Sequence, residues 1–176
     1  MKYRGIAKGG RSALEILGPL VSVVIRPHPV IREAMELDGD KPGAERTKLL
    51  VDTGAHRTII SSRVAKVLEL DQVREETVVG ISQKEETWPV FMMGVEIRVK
   101  LDEGDYMPVE TSLYVPGCPP FAETEQHDGL LGRDVLSDWH FHYPGPLGGF
   151  LLEAGEGLKR RLLHNWRKTH PAPKSR

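Results

Sequence analysis

One carboxylate in this chain of 176 residues stands where an apolar run breaks off. The segment Leu49-Leu50-Val51-Asp52-Thr53-Gly54-Ala55 passes from leucine and valine straight into a carboxylate, a hydroxyl and a glycine. Asp and Gly are depleted in strands, so an apolar strand must end here and the chain must turn. A carboxylate at the mouth of a buried strand loses part of its hydration, and its pKa becomes tunable. Such a group suits acid–base work on a water molecule. A bare Asp-Thr-Gly also makes an ordinary strand-ending turn. Two details favour chemistry: the residues before Asp52 are apolar, and Ala55 is small enough for close backbone approach.

A second segment repeats the logic downstream. In Asp128-Gly129-Leu130-Leu131-Gly132-Arg133-Asp134-Val135-Leu136-Ser137-Asp138-Trp139, an apolar strand end meets a glycine and a short helix begins. Val135, Leu136 and Trp139 supply its apolar face. After the first turn, Thr58-Ile59-Ile60 reads as another strand and Ser62–Leu68 as a helix.

With these two signatures in this order, the chain resembles the retropepsin-like aspartic proteases, the retroviral proteases and their cellular single-domain relatives. That family carries a hydrophobic-hydrophobic-Asp-Thr-Gly-Ala turn and a later Leu-Gly-Arg-Asp-like turn and helix. The resemblance spans roughly Pro19 to Glu153. It implies a mostly β, closed-barrel acid-protease fold with short helices near Ser62–Leu68 and Arg133–Asp138, and one Asp-Thr-Gly per chain. Asp52 takes the catalytic place, Thr53, Gly54 and Ala55 form the active-site loop, and Gly132, Arg133 and Asp134 form the second, structural signature. A β-hairpin flap is implied at Val78-Val79-Gly80-Ile81-Ser82-Gln83, with Gly80, Ile81 and Ser82 at its tip. Glycine at a hairpin tip permits positive φ, and isoleucine there can cover a substrate. Where the retroviral motif continues Ala-Asp, this chain has Ala55-His56, so no acidic partner for Arg133 stands at that position.

Peptide hydrolysis by this chemistry needs two carboxyl groups sharing a proton, one acting on water and the other on the carbonyl oxygen. The sequence holds a single Asp-Thr-Gly, and Leu131-Gly132-Arg133 has no carboxylate in the matching place. A two-fold homodimer contributing Asp52 twice is the economical solution, as in retropepsins. The resemblance further implies that Thr53 bonds across the two-fold, that Gly54 offers its carbonyl to the bound chain, and that the substrate is an extended polypeptide. Neither cofactor nor metal is implied. A competing expectation keeps the fold as a dimerisation or peptide-binding module with little activity.

The supporting elements read as short strands between Gly and Pro turns. Leu20–Ile25 forms a strand closed by Pro27-His28-Pro29, Arg32–Gly43 reads as a polar connection, and residues 1–18 read as mobile. Strands follow over Thr87–Met93, Gly94–Leu101 and Pro108–Val115, then a last hairpin from His140–Tyr143 to Phe150–Glu153. His140 and His142 share a face, which strand alternation alone explains, so no metal site is assigned to them with His127 or His56. The protease domain is thus expected over 19–155, ahead of a basic tail at 156–176.

Composition fits this frame. A content of 39% apolar and 28% charged residues is that of an ordinary globular domain. The lone Cys118 excludes an internal disulfide. No stretch has the ~18 apolar residues that a membrane span requires, and no apolar core follows the basic N-terminus as in a secretory signal. A cytoplasmic protein is therefore expected, with no membrane partner. From Gly157 to Arg176 the chain carries seven Lys or Arg and no acid. Such a tail suits an acidic partner surface or nucleic acid. Nucleic acid is disfavoured because aromatics, the usual stacking platforms, are only 6% of residues.

Overall fold

Six strands close into a barrel in the computed structural model, which describes residues 1–6, 10–79, 85–101, 104–119, 126–144 and 148–169. In barrel order these are β2 (Leu20–Pro27), β3 (Glu45–Val51), β8 (Gly129–Leu131), β4 (Ile59–Ser61), β7 (Tyr106–Cys118) and β6 (Glu85–Lys100), which pairs back onto β2. Period-two alternation fills the interior. Val21, Val23 and Ile25 of β2, Leu49 and Val51 of β3, and Val95, Ile97 and Val99 of β6 point inward and are buried. Each side chain so buried contributes roughly 1.5–3 kcal/mol. The mostly β, closed-barrel expectation therefore holds. The two short helices stand where the apolar pattern placed them, α3 at Ser62–Val67 and α4 at Arg133–Leu136.

β6 runs unbroken for 16 residues, where two strands meeting at Gly94 were expected. Its first residues pair with β5 (Gln72–Val79) in an antiparallel hairpin, Thr77 opposite Thr87 and Val79 opposite Glu85. The hairpin stands where a flap was expected; Gly80, Ile81 and Ser82, its expected tip, lie outside the described residues. Gly94 continues the strand because it leaves room for a neighbour. A Cβ there would stand 1.9 Å from Glu110 Oε1.

That glutamate explains a second difference. Pro29–Leu37, which takes in the first half of the expected polar connection Arg32–Gly43, is helix α2. Pro29 opens it, where the missing N–H costs nothing. His28 Nδ1 caps it by accepting from Val30 N at 3.3 Å. Glu110 of β7 accepts twice from Arg32 Nη2, at 2.8 and 2.9 Å, and pins the helix to the barrel.

Residues 1–18 were expected to be mobile and to lie outside the domain. They hold β1 (Lys2–Ile6) and α1 (Gly10–Leu17) instead. β1 pairs along its length with β10 (Gly149–Ala154), which pairs with β9 (Trp139–His142). Tyr3 packs its ring 6.1 Å from Phe150, its hydroxyl accepts from Ser22 N at 3.0 Å, and Leu14 is buried. The basic tail begins as α5 (Glu156–Thr169), whose Leu158 is buried in the core. No helix among the described residues is long and apolar enough to cross a membrane.

Candidate active site

Two strand pairings decide where Asp52 ends up. β3 runs parallel to β8, Val51 beside Leu131, and β4 runs antiparallel to β8, Ile59 beside Leu130. β8 therefore lies between β3 and β4, and the connection 52–58 must cross its end. There it meets the second signature backbone to backbone. Asp52 N donates to Leu131 O at 3.1 Å, and Arg133 N donates to Ala55 O at 3.0 Å.

Gly132 makes that crossing possible. A Cβ on it would lie 2.3 Å from Arg57 C, 2.5 Å from Arg57 O and 2.6 Å from Thr58 N. Gly129 is pressed in the same way, its absent Cβ 2.2 Å from Ile59 O. These contacts involve backbone atoms, which cannot swing aside as a side chain would.

The second signature also supplies the bonds that lock the loop. Asp134 Oδ1 accepts from Thr58 Oγ1 at 2.7 Å and from Thr58 N at 2.9 Å, and Thr58 Oγ1 in turn accepts from Gly132 N at 3.1 Å. Thr58 is fully buried, so these bonds satisfy polar atoms that no water can reach. Arg133 contributes its backbone, while its side chain and that of His56 are exposed.

Asp52 itself is half-buried at the loop's start. Its Oδ1 accepts from Gly54 N at 2.8 Å and from Ala55 N at 3.2 Å. Its Oδ2 has no hydrogen bond among the described residues. One oxygen is thus fixed by the turn and the other is left for a ligand or a second group. Thr53 and Gly54, beside it, are exposed.

The other acids around the loop are engaged. Asp128 accepts from Arg63 Nε at 3.1 Å and Nη2 at 2.8 Å, and also from the Thr47 hydroxyl. Burial works against its charge, yet these bonds and nearby His127 outweigh it and hold the carboxyl below the usual carboxylate range. Asp134 is occupied by Thr58. Within the described residues, Asp52 is the acid of this region with an oxygen to spare.

Arg57 is a site residue that sequence reading missed. Its Nη1 donates to the Glu76 carboxylate on β5, and its Nη2 to the Tyr114 carbonyl on β7. Arg74 stands 3.7 Å from Glu76 and 5.0 Å above the Tyr114 ring. The β5–β6 hairpin is therefore fastened to the Asp52 loop. No local signal announces this, because the partners lie 19 and 57 residues from Arg57.

Hydrogen bonds from Arg57, then the charges of Arg57 and Arg74, hold the Glu76 carboxyl below its ordinary value. A depressed carboxyl contributes its tie fully above the unfolded value near ~4.3 and loses it as pH falls through the folded value. Glu76→Gln should speed amide exchange at Thr77 and Val78 near neutral pH by up to about fivefold. The gap from wild type should close in acid, where Glu76 is itself neutral. Exchange at those amides against pH checks this, and a gap constant with pH would contradict it.

A sequence search of the curated proteins finds no match. Residues 35–135, more than half of the chain, match the family model described as Aspartyl protease. The match runs from α2 through the Asp52 loop and the flap hairpin to the Gly132-Arg133-Asp134 turn, the segments whose contacts have just been described. The chain belongs to this aspartyl protease family, of the retropepsin-like clan.

Proposed function

We propose that the protein is an endopeptidase that hydrolyses peptide bonds with two Asp52 carboxyls, one from each subunit of a homodimer. The observation that carries this reading is the state of Asp52: Oδ1 pinned by Gly54 N and Ala55 N, Oδ2 unbonded among the described residues, and exposed Thr53 and Gly54 alongside. The other acids near the loop are tied to Arg63 or Thr58. The second carboxyl then comes from a second copy.

In that arrangement the two carboxyls face each other at about 3 Å and share one proton, because both cannot ionise easily at that distance. The ionised one takes a proton from the attacking water. The protonated one donates to the scissile carbonyl oxygen as it becomes tetrahedral. Thr53 ties the two loops across the two-fold, and the Gly54 carbonyl and Ala55 receive the extended substrate. The substrate adds as an extended strand at the active-site floor. The water and the dyad need no cofactor.

A dyad works only while it holds one proton. The rate is therefore expected to be bell-shaped in pH, highest in mild acid, with limbs that belong to the pair. Cleavage of a peptide library from about pH 3 to 8, run beside sedimentation of the same sample, tests this. A strict monomer that cleaves would overturn the shared site. A dimer inert throughout would make the protein a peptide-binding module.

A further inference from the structure

A wide cleft lies on the outside of the barrel, lined among the described residues chiefly by positions of β1, β2, β3 and β6. Its apex is closed by the Tyr3 hydroxyl bonded to Ser22 N. Six cations line it among the described residues: Lys2 and Arg4 from β1, Arg46 and Lys48 from β3, and Arg98 and Lys100 from β6. All six side chains are exposed. Register explains the clustering. Val24 of β2 pairs with both Arg46 and Glu96, and Lys2 pairs with Lys100, so outward positions of four strands converge. The single acid among the described lining residues, Glu96, is 7% exposed and already holds Arg26 at 3.4 Å and Arg98 at 3.2 Å. Arg4, Arg46 and Lys48 make no ion pair among the described residues. The positive track continues past the rim, where Glu153 bridges Lys2 and Lys159 of α5 at 3.9 and 3.2 Å.

The shape narrows the choice of ligand. At about 1360 Å³ the cleft exceeds what one small molecule fills, so it suits a length of polymer. Val24, Leu101 and Leu151 line the same cleft. Charge mixed with carbon suits a polypeptide with acidic and apolar side chains. Single-stranded nucleic acid favours a series of stacking rings, and here Tyr106 is the exposed ring. Strand β3 also joins this cleft to the site. Lys48 and Arg46 precede Asp52 by four and six residues, about 13 and 20 Å along an extended strand.

We propose that the cleft is an exosite that docks an acidic segment of the polypeptide substrate while a neighbouring segment, at least about four to six extended residues away, occupies the catalytic site. This rests on the peptidase reading above. Unpaired exposed cations gain most from a flexible acidic chain at low ionic strength, so the docking weakens as salt rises.

The test uses the full chain carrying Asp52→Asn and a fluorescein-labelled peptide of about ten glutamates, read by anisotropy. This arm needs no turnover, so an inert protein leaves it interpretable. Binding that weakens with salt, and that drops about tenfold or more in R46E/K48E with circular dichroism unchanged, is the expected result. R46Q/K48Q should fall between the two. Absent binding, or binding untouched by R46E/K48E, would overturn the proposal. So would tighter binding of a labelled oligothymidylate of equal length, which would make the cleft a nucleic-acid surface. In the active protein, an acidic stretch placed beyond the scissile bond should lower KM with kcat little changed, and R46E/K48E should remove that difference.

Discussion

Asp52→Asn is expected to slow peptide hydrolysis by on the order of 10³-fold or more while leaving the domain folded. Asparagine keeps the shape of the side chain, and its oxygen can still accept from Gly54 N and Ala55 N, the bonds that shape the turn. What it removes is the titrating oxygen. Neither a proton for the scissile carbonyl nor a base for the water then remains at this position. The weaker bonds to a neutral acceptor should cost only about 1 kcal/mol of stability. Rates on a peptide mixture and the thermal midpoint separate the two effects. A purified Asp52→Asn protein cleaving at the wild-type rate would place the chemistry elsewhere.

Gly132→Ala should strongly disturb the Asp52 loop. The added carbon would enter the space of Arg57 C, Arg57 O and Thr58 N, all between 2.3 and 2.6 Å away. Relieving this contact must push the Asp52 loop off β8 and strain the Thr58–Asp134 bonds. A loss of about 3 kcal/mol is expected, at the upper end for overpacking, with activity falling beyond the loss of folded protein. Gly157→Ala is the matching control. Nothing lies within 4 Å of its Cβ, and in α5 alanine should gain up to about 1 kcal/mol. Denaturant midpoints of the two variants check the contrast, and equal midpoints would contradict it.

Much of the candidate site was legible in the sequence because its pieces are local. Leu49 to Ala55 writes a strand and its turn within seven residues, and Gly132-Arg133-Asp134 writes a turn and a helix start. Alternation along β6 marked a strand, while closure of the barrel was implied by the resemblance to retropepsin-like proteases and is seen in the pairing of β6 back onto β2. The parts that escaped depend on partners far along the chain. β1 finds its hydrogen bonds on β10, with Tyr3 opposite Leu152, and five residues alone carry no sign of that. Helix α2 carries Val30, Ile31, Ala34 and Met35 at helical spacing but buries none of them, and Pro29, which reads as the close of a strand, is the start of the helix. Gly94 read as a break because glycine usually weakens a strand, while its use is to admit Glu110. Thr58 and Arg57 sit one and two residues before β4 and look like ordinary loop residues until β8 and β5 arrive beside them.

The central claim, that two chains share one catalytic site through Asp52, is tested most directly by mixing subunits. Wild-type and Asp52→Asn chains are unfolded together in equal amounts and refolded, so that they pair at random. Two-fold pairing makes about one quarter of the dimers wild type in both halves, and only these hold two titrating carboxyls. Activity per total protein should fall to about one quarter of the pure wild-type value and follow the square of the wild-type fraction. Activity that stays near one half and follows the fraction linearly would show each chain to be sufficient alone, and would contradict the shared site.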